Sequence, residues 1–207
     1  MNNHQKVTVI GLTGGIGAGK SVVARVLRCK GYDVYDCDYE ARRIMENSSE
    51  LKCEIVSRFG DECLREDGSL AREAIAVHVF GDDDKRAWLN SKVHGLVRKD
   101  ICDKIANLES QDKNVILFVE SAILNTSLLT PLCQYIWLVC ASETERLARA
   151  CKRDGASSEK ILARMKSQKN EFDDFSDRPV VVIRNNNDSD LLGQIGDELK
   201  HISEKRG

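Results

Sequence analysis

Residues Gly14-Gly15-Ile16-Gly17-Ala18-Gly19-Lys20-Ser21 fit the pattern G-x-x-x-x-G-K-[ST], and no other stretch constrains the fold of this chain as strongly. The apolar run Val7-Thr8-Val9-Ile10-Gly11-Leu12 reads as a buried strand leading into the loop. Val22, Val23, Val26 and Leu27 then recur at helical spacing. Strand, glycine loop and helix are the setting in which such a segment wraps phosphate. Glycines let successive backbone N–H groups turn inward. The helix that follows adds unpaired N–H groups and the positive end of its dipole. Lys20 has the reach for β- and γ-phosphates, and the Ser21 hydroxyl suits a Mg²⁺ ion.

At 207 residues the chain has the length of one domain, with room for a small appended lobe. A net charge of −2 argues against nucleic acid or a membrane surface as partner. No apolar stretch approaches the roughly 18 residues needed to span a bilayer. Met1-Asn2-Asn3-His4-Gln5-Lys6 is short and polar for a signal peptide. The eight cysteines contain no C-x-x-C pair, and several sit in apolar runs, so buried free thiols in a cytoplasmic protein are expected.

Four more strands are expected at 33–36, 115–119, 135–140 and 180–183. Their nearly continuous apolar character predicts parallel strands buried on both faces. Ser142 with Glu145 has the form of a capping box, opening a helix with Thr144, Leu147, Ala148 and Cys151 inward. Leu192, Ile195, Leu199 and Ile202 mark the inner face of a final helix. This alternation predicts a three-layer α/β fold around a five-stranded parallel sheet. The interval 39–111 breaks the alternation. Leu89, Val93, Leu96, Ile101, Ile105 and Leu108 recur there at helical spacing, and a loop at 60–68 divides it. It reads as a helical insertion. The core then comprises 1–38, 112–145 and 179–207, within a single domain of 1–207.

Two charged constellations join the glycine loop. Asp36-Cys37-Asp38 ends the second strand, on the sheet edge where ligands of open α/β folds bind. One carboxylate suits a proton acceptor for an attacking hydroxyl, the other a Mg²⁺ water. Alternation along an extended chain would point both the same way, with Cys37 opposite. The bland alternative is that Asp38 caps a helix beginning near Tyr39. Between Arg146 and Lys169 lie eight Lys/Arg against two acids, Asp154 and Glu159. Most charge runs are solvated faces, and Arg146 and Arg149 are read that way. Arg153, at a helix end where a lid would hinge, is the residue singled out for the phosphoryl group.

These residues together resemble the dephospho-CoA kinase family, which carries out the last step of coenzyme A biosynthesis. Ile10 to Ser21 is similar to that family's opening. Val34-Tyr35-Asp36-Cys37-Asp38 with Ala41-Arg42 resembles its D-x-D-x-x-A-R segment. Asp67-Gly68-Ser69-Leu70, Arg72, Val79-Phe80 and His94 resemble its substrate-side helices. Arg153-Asp154-Gly155 with Arg164 and Gln168 resembles its lid. Val182-Ile183 followed by Asn185-Asn186 resembles the strand and loop beside the nucleotide base. Gly95 stands where the family usually has proline, and Val119-Glu120-Ser121-Ala122-Ile123-Leu124 where many members have V-P-L-L-F-E.

The resemblance implies a P-loop kinase fold with a helical substrate-binding insertion at 39–111 and a lid at 146–178. It implies transfer of a phosphoryl group from ATP, with Mg²⁺, to the 3′-hydroxyl of dephospho-CoA. Catalysis would rest on Asp38, Lys20 and Arg153. ATP would be held by Gly14, Gly15, Ile16, Gly17, Ala18, Gly19, Lys20, Ser21, Val22, Arg153 and Asn185. Thr13, Asp38, Arg42 and His94 would hold the acceptor, and Ser21 with Asp36 the metal. Small molecules would be its partners, with no nucleic acid or membrane, and the chain would be a monomer or weak oligomer. The alternative within this class is another P-loop small-molecule or nucleoside monophosphate kinase. A small GTPase needs an N-K-x-D motif, which the sequence lacks, and its single D-x-x-G, Asp190 to Gly193, falls in the expected last helix. A non-catalytic nucleotide sensor would not need Lys20, Asp38 and Arg153 together.

Overall fold

The computed structural model describes residues 7–111, 115–172, 174–175 and 178–206. They divide into two compact units, Asp36–Asn107 and Met1–Tyr35 with Leu108–Gly207.

The larger unit is built on the parallel sheet β2-β3-β1-β4-β5. Its strands are β1 (Val7–Thr13), β2 (Asp33–Asp36), β3 (Val115–Glu120), β4 (Tyr135–Cys140) and β5 (Val180–Arg184). β1 is central and all seven of its residues are buried, in keeping with its largely apolar sequence. Leu12 pairs with Glu120, so β1 and β3 end level, and the glycine loop leaves the sheet at its carboxyl edge. Helix α1 (Lys20–Cys29) follows that loop, and α8 (Leu191–Arg206) closes the chain. Val23 and Leu27 of α1 and Ile195, Leu199 and Ile202 of α8 cover Ile10, Leu12, Phe118, Trp137 and Ile183. Phe118 makes edge contacts with Tyr32 and Trp137, at ring centroid distances of 5.7 and 5.1 Å.

Burial on both faces holds for the middle strands only. β5 is an edge strand, and Val180 and Val182 on one of its faces are 42% and 45% exposed. On α8, Leu192 is exposed and Leu191 packs on the core instead, one position from the expected stripe.

Helices α6 (Glu143–Asp154) and α7 (Ser158–Ser167) form a hairpin with its own small core. Ala150, Ile161 and Met165 are buried there, with Leu147, Cys151 and Ala156 against them. Thr144 and Ala148, expected inward, are exposed. The apolar face is therefore set by 147, 150 and 151, an i, i+3, i+4 pattern. Ser142 caps α6 as expected, its hydroxyl accepting from Glu145 N–H at 3.3 Å. The return half of the capping box is not made. The Ser142 N–H donates to Asn186 Oδ1, and the Glu145 carboxylate accepts from Asn187 N–H instead.

The unit Asp36–Asn107 is helical, from α2 (Cys37–Asn47), α3 (Ser49–Phe59) and α4 (Arg72–Val79) to most of α5 (Asp83–Ser110). The loop near 60–68 carries a 3₁₀ turn at Asp61–Cys63 and a bridge from Leu64 to Leu70. Its core joins Leu51, Ile55, Phe59, Cys63, Leu70 and Ile75 to Leu89, Val93 and Leu96. α5 runs unbroken for 28 residues through Gly95, beside which a Cβ would meet open space. All eight cysteines are free, and burial pushes the Cys133 thiol up to about 12. Among the described residues no helix is long and apolar enough to cross a membrane.

Truncating Phe118, which is fully buried between two rings, should cost about 3–5 kcal/mol. Urea denaturation of Phe118→Ala checks this, and a loss below about 1 kcal/mol would contradict the packing described.

Candidate active site

The loop between β1 and α1 is shaped by what presses on it. Gly17 has φ +76° and Gly19 φ +96°, both in the left-handed region. Space matters as much as angle. A Cβ on Gly17 would lie 2.1 Å from the Arg146 carbonyl oxygen, and one on Gly19 2.1 Å from the Asn185 amide nitrogen. α6 therefore packs directly on the loop, and only glycine admits it.

Two side chains of the hairpin hold one loop residue at both ends. Arg146 Nε donates to the Ile16 carbonyl at 2.9 Å, and Ile16 N–H donates to Gln168 Oε1 at 3.0 Å. Asn185, just beyond β5, donates to the Ala18 carbonyl at 2.8 Å. Arg149 in turn holds the Asn185 carbonyl at 2.8 Å and Asn187 Oδ1 at 3.2 Å. Lys20 Nζ donates to the Gly14 carbonyl at 2.6 Å.

The start of α1 fits an anion. Gly19 precedes it without a side-chain cap, and no acidic residue lies in its first turn. The N–H groups that open a helix lack acceptors in the turn before them, and the helix dipole places positive potential there. Thr13, the last residue of β1, is fully buried, and its hydroxyl has no hydrogen-bond partner among the described residues. An unsatisfied buried hydroxyl costs about 1–3 kcal/mol, so a polar ligand beside it would be favoured. These features suit a phosphate chain. Among the described residues no cluster of three His, Cys, Asp or Glu forms a metal cage. A metal here would be held by few protein oxygens, as Mg²⁺ on a nucleotide is.

At the hairpin's turn, Asp154 binds two arginines. It takes Arg153 Nε on Oδ1 at 2.7 Å and Nη2 on Oδ2 at 3.2 Å, and Arg164 Nη1 on Oδ2 at 2.7 Å. The two guanidinium groups, Arg153 first, hold the Asp154 carboxyl down to about 2.

The dephospho-CoA kinase family model matches residues 8–190. A dephospho-CoA kinase of Aggregatibacter actinomycetemcomitans is 39% identical over 183 residues, 88% of this chain and 85% of that protein. One from Porphyromonas gingivalis is 38% identical over 162 residues, 78% of each. A solved structure from Thermus thermophilus, 32% identical, superposes with a TM-score of 0.74 over 96% of this chain and 97% of its own. The chain belongs to the dephospho-CoA kinase family.

Membership in the dephospho-CoA kinase family implies use of ATP and Mg²⁺. Within the larger unit, the sequence-derived set Gly14 to Val22 and Asn185 is brought together, and Thr13 adjoins it. Sequence reasoning missed Arg146, Arg149 and Gln168 as parts of the loop's surround. The signal was present for Gln168, which the resemblance placed in the lid. For the arginines, spacing gave a shared face but not what faces it.

The acidic pair differs from expectation. α2 begins at Cys37, so strand alternation does not extend over 36–38. Asp36 is the cap, its Oδ1 accepting from Tyr39 N–H at 3.0 Å. Asp38 lies exposed in the first turn and Cys37 is buried. Arg42 is exposed on α2, and His94 is half-buried on α5, its imidazole pKa lowered by burial.

Gly17→Ala and Gly68→Ala make a matched test. Their φ angles are +76° and +77°, but a Cβ at Gly68 meets nothing within 4 Å. Gly68→Ala should cost about 1–2 kcal/mol of strain in urea denaturation and leave nucleotide affinity intact. Gly17→Ala should cost more and weaken ATP binding at least tenfold. Equal behaviour would refute the role of the α6 contact.

His94 predicts a pH effect. With the folded pKa lowered, its contribution to stability is complete above the unfolded value near 6.5. It is lost as pH falls from there towards the folded pKa. His94→Gln should therefore lose less stability than wild type between pH 8 and pH 5.5, measured by urea denaturation. An unchanged pH slope would refute this.

Proposed function

We propose that the chain transfers the γ-phosphoryl group of ATP to the 3′-hydroxyl of dephospho-CoA, giving coenzyme A and ADP. The observation that carries this reading is the family match over residues 8–190 on a glycine loop with Lys20 and Ser21 in place. The loop and the start of α1 bind the β- and γ-phosphates through backbone N–H groups. Asn185, fixed by Arg149, flanks the nucleotide. Ser21 and Asp36 are the residues that would hold Mg²⁺, which would supply positive charge against the negative charge of the phosphates.

Asp38 accepts the proton of the attacking hydroxyl. The ribose 3′-oxygen forms a bond to the γ-phosphorus as the bond from that phosphorus to the ADP oxygen breaks, and ADP leaves. Lys20 and Arg153 stabilise charge on the group in flight. Thr13, Arg42 and His94 position the acceptor. The segment 146–178 acts as a lid that excludes water, the rival nucleophile. ADP release measured with dephospho-CoA, nucleoside monophosphates, shikimate and buffer alone tests the reading. Turnover with another acceptor and none with dephospho-CoA would overturn it.

The two aspartates separate by role. Asp38→Asn should lower kcat by about 10²–10⁴, the usual cost of a lost base, with melting temperature and ATP affinity unchanged. Asp36→Asn keeps the cap, since Asn and Asp cap about equally well. It should instead raise the Mg²⁺ needed for half-maximal rate. Kinetics of both variants across a Mg²⁺ titration check this. A dead, unrescued Asp36→Asn beside a mild Asp38→Asn would reverse the assignment.

A further inference from the structure

The α6–α7 hairpin carries an arrangement that a single lid arginine does not explain. Asp154 is the last residue of α6, and Gly155 follows in the left-handed conformation at φ +60°, its N–H returning to the Cys151 carbonyl. The short turn lets α7 pack back on α6, and the core of Ala150, Ile161 and Met165 fixes the two helices together. Arg164 thereby reaches the carboxylate that already holds Arg153.

The faces on which these arginines lie are set by their neighbours. Arg146 touches the glycine loop from α6, and Arg153 lies seven residues on, two turns along the same face. Gln168 touches the loop from the end of α7, and Arg164 lies four residues earlier, one turn along its face. At 1.5 Å per residue these steps are about 10 and 6 Å. Both arginines thus extend from the two side chains that already grip Ile16. Their side chains are 61% and 54% exposed, against 21% for Asp154. A guanidinium has five N–H donors, and Asp154 takes two from Arg153 and one from Arg164. The trio therefore carries a net positive charge and offers donors outward.

We propose that Asp154 is a positioning residue that holds Arg153 and Arg164 as a paired site for the γ-phosphoryl group of the bound nucleotide. Arg164 is then a second contact to that group beside Arg153. The carboxylate offsets the repulsion between two cations and fixes their spacing, so that neither must reorganise when the phosphoryl group arrives. This proposal deepens the kinase reading and rests on it.

The test separates the terminal phosphate from the rest of the nucleotide. Calorimetric titration with Mg²⁺ and either ADP or a non-hydrolysable ATP analogue is run on wild type, Asp154→Asn, Asp154→Glu, Arg164→Ala and the double variant Asp154→Asn/Arg164→Ala. A lost charge-assisted contact corresponds to about a tenfold or greater loss of affinity. Asp154→Asn and Arg164→Ala should each weaken the analogue by that factor and leave ADP within about twofold. The double variant should lose less than the product of the two single losses, because both act on one site, and what it loses beyond Arg164→Ala is the loosening of Arg153. Asp154→Glu should recover part of the loss. Equal losses for ADP and the analogue would mean that Asp154 only supports the hairpin, and would overturn the proposal. So would unchanged affinities, or losses that multiply in the double variant. Failure of the kinase reading appears elsewhere, as no ADP release with dephospho-CoA.

Discussion

The close approach of α6 to the glycine loop is the contact on which the shape of that loop depends. The Arg146 carbonyl sits where a side chain on Gly17 would be, and the Arg146 guanidinium sits where one on Gly15 would be. The loop's shape is thus not a private property of eight residues. It is set partly by its own left-handed angles and partly by a helix more than a hundred residues later. Since Gln168 and Arg146 hold the two ends of Ile16, movement of the hairpin must break or carry these bonds. Hairpin position and loop shape are therefore coupled through two hydrogen bonds and one steric contact.

The same contacts preserve positive potential. Arg146 donates its Nε–H to a backbone carbonyl, a dipole without net charge, so its own charge is not cancelled by that partner. The uncapped start of α1 adds N–H groups and no acid. Asp154 is placed differently, spending one negative charge on two positive ones. An anion arriving at this edge meets charge that is held in place and only partly neutralised, and the ordering cost of binding it falls accordingly.

How much was legible in the sequence follows from the range of each interaction. β1, the glycine loop and α1 were readable because motif, apolar run and helical spacing are local and agree. β2 and β4 fell at their expected residues, and β3 and β5 within one. The errors came where a neighbour decides. Nothing in Val180–Ile183 says that the strand is at a sheet edge, so two exposed valines looked like core. Leu191 and Leu192 differ only in which one turns towards Ile195. Half of the Ser142–Glu145 capping box was pre-empted by Asn186 and Asn187, 44 and 42 residues further along the chain. Arg146 and Arg149 looked like a solvated face because charge spacing reports a helix side and not what that side meets.

The acidic segment shows why such errors can matter for chemistry. Reading 36–38 as extended chain made the two carboxylates equivalent, and left open that Asp38 was merely a cap. Starting α2 at Cys37 removes the equivalence. An N-cap side chain must accept from the backbone two or three residues on, and Asp36 does so at Tyr39. Asp36 is thereby committed to the helix start through Oδ1. Asp38, exposed in the first turn, has no capping duty to perform. A group that must accept a proton and release it each cycle is better built on a position the fold does not also need. On that ground the proposed base, Asp38, is a different residue from the one that caps the helix, and Asp38→Asn is expected to change rate with little change in stability.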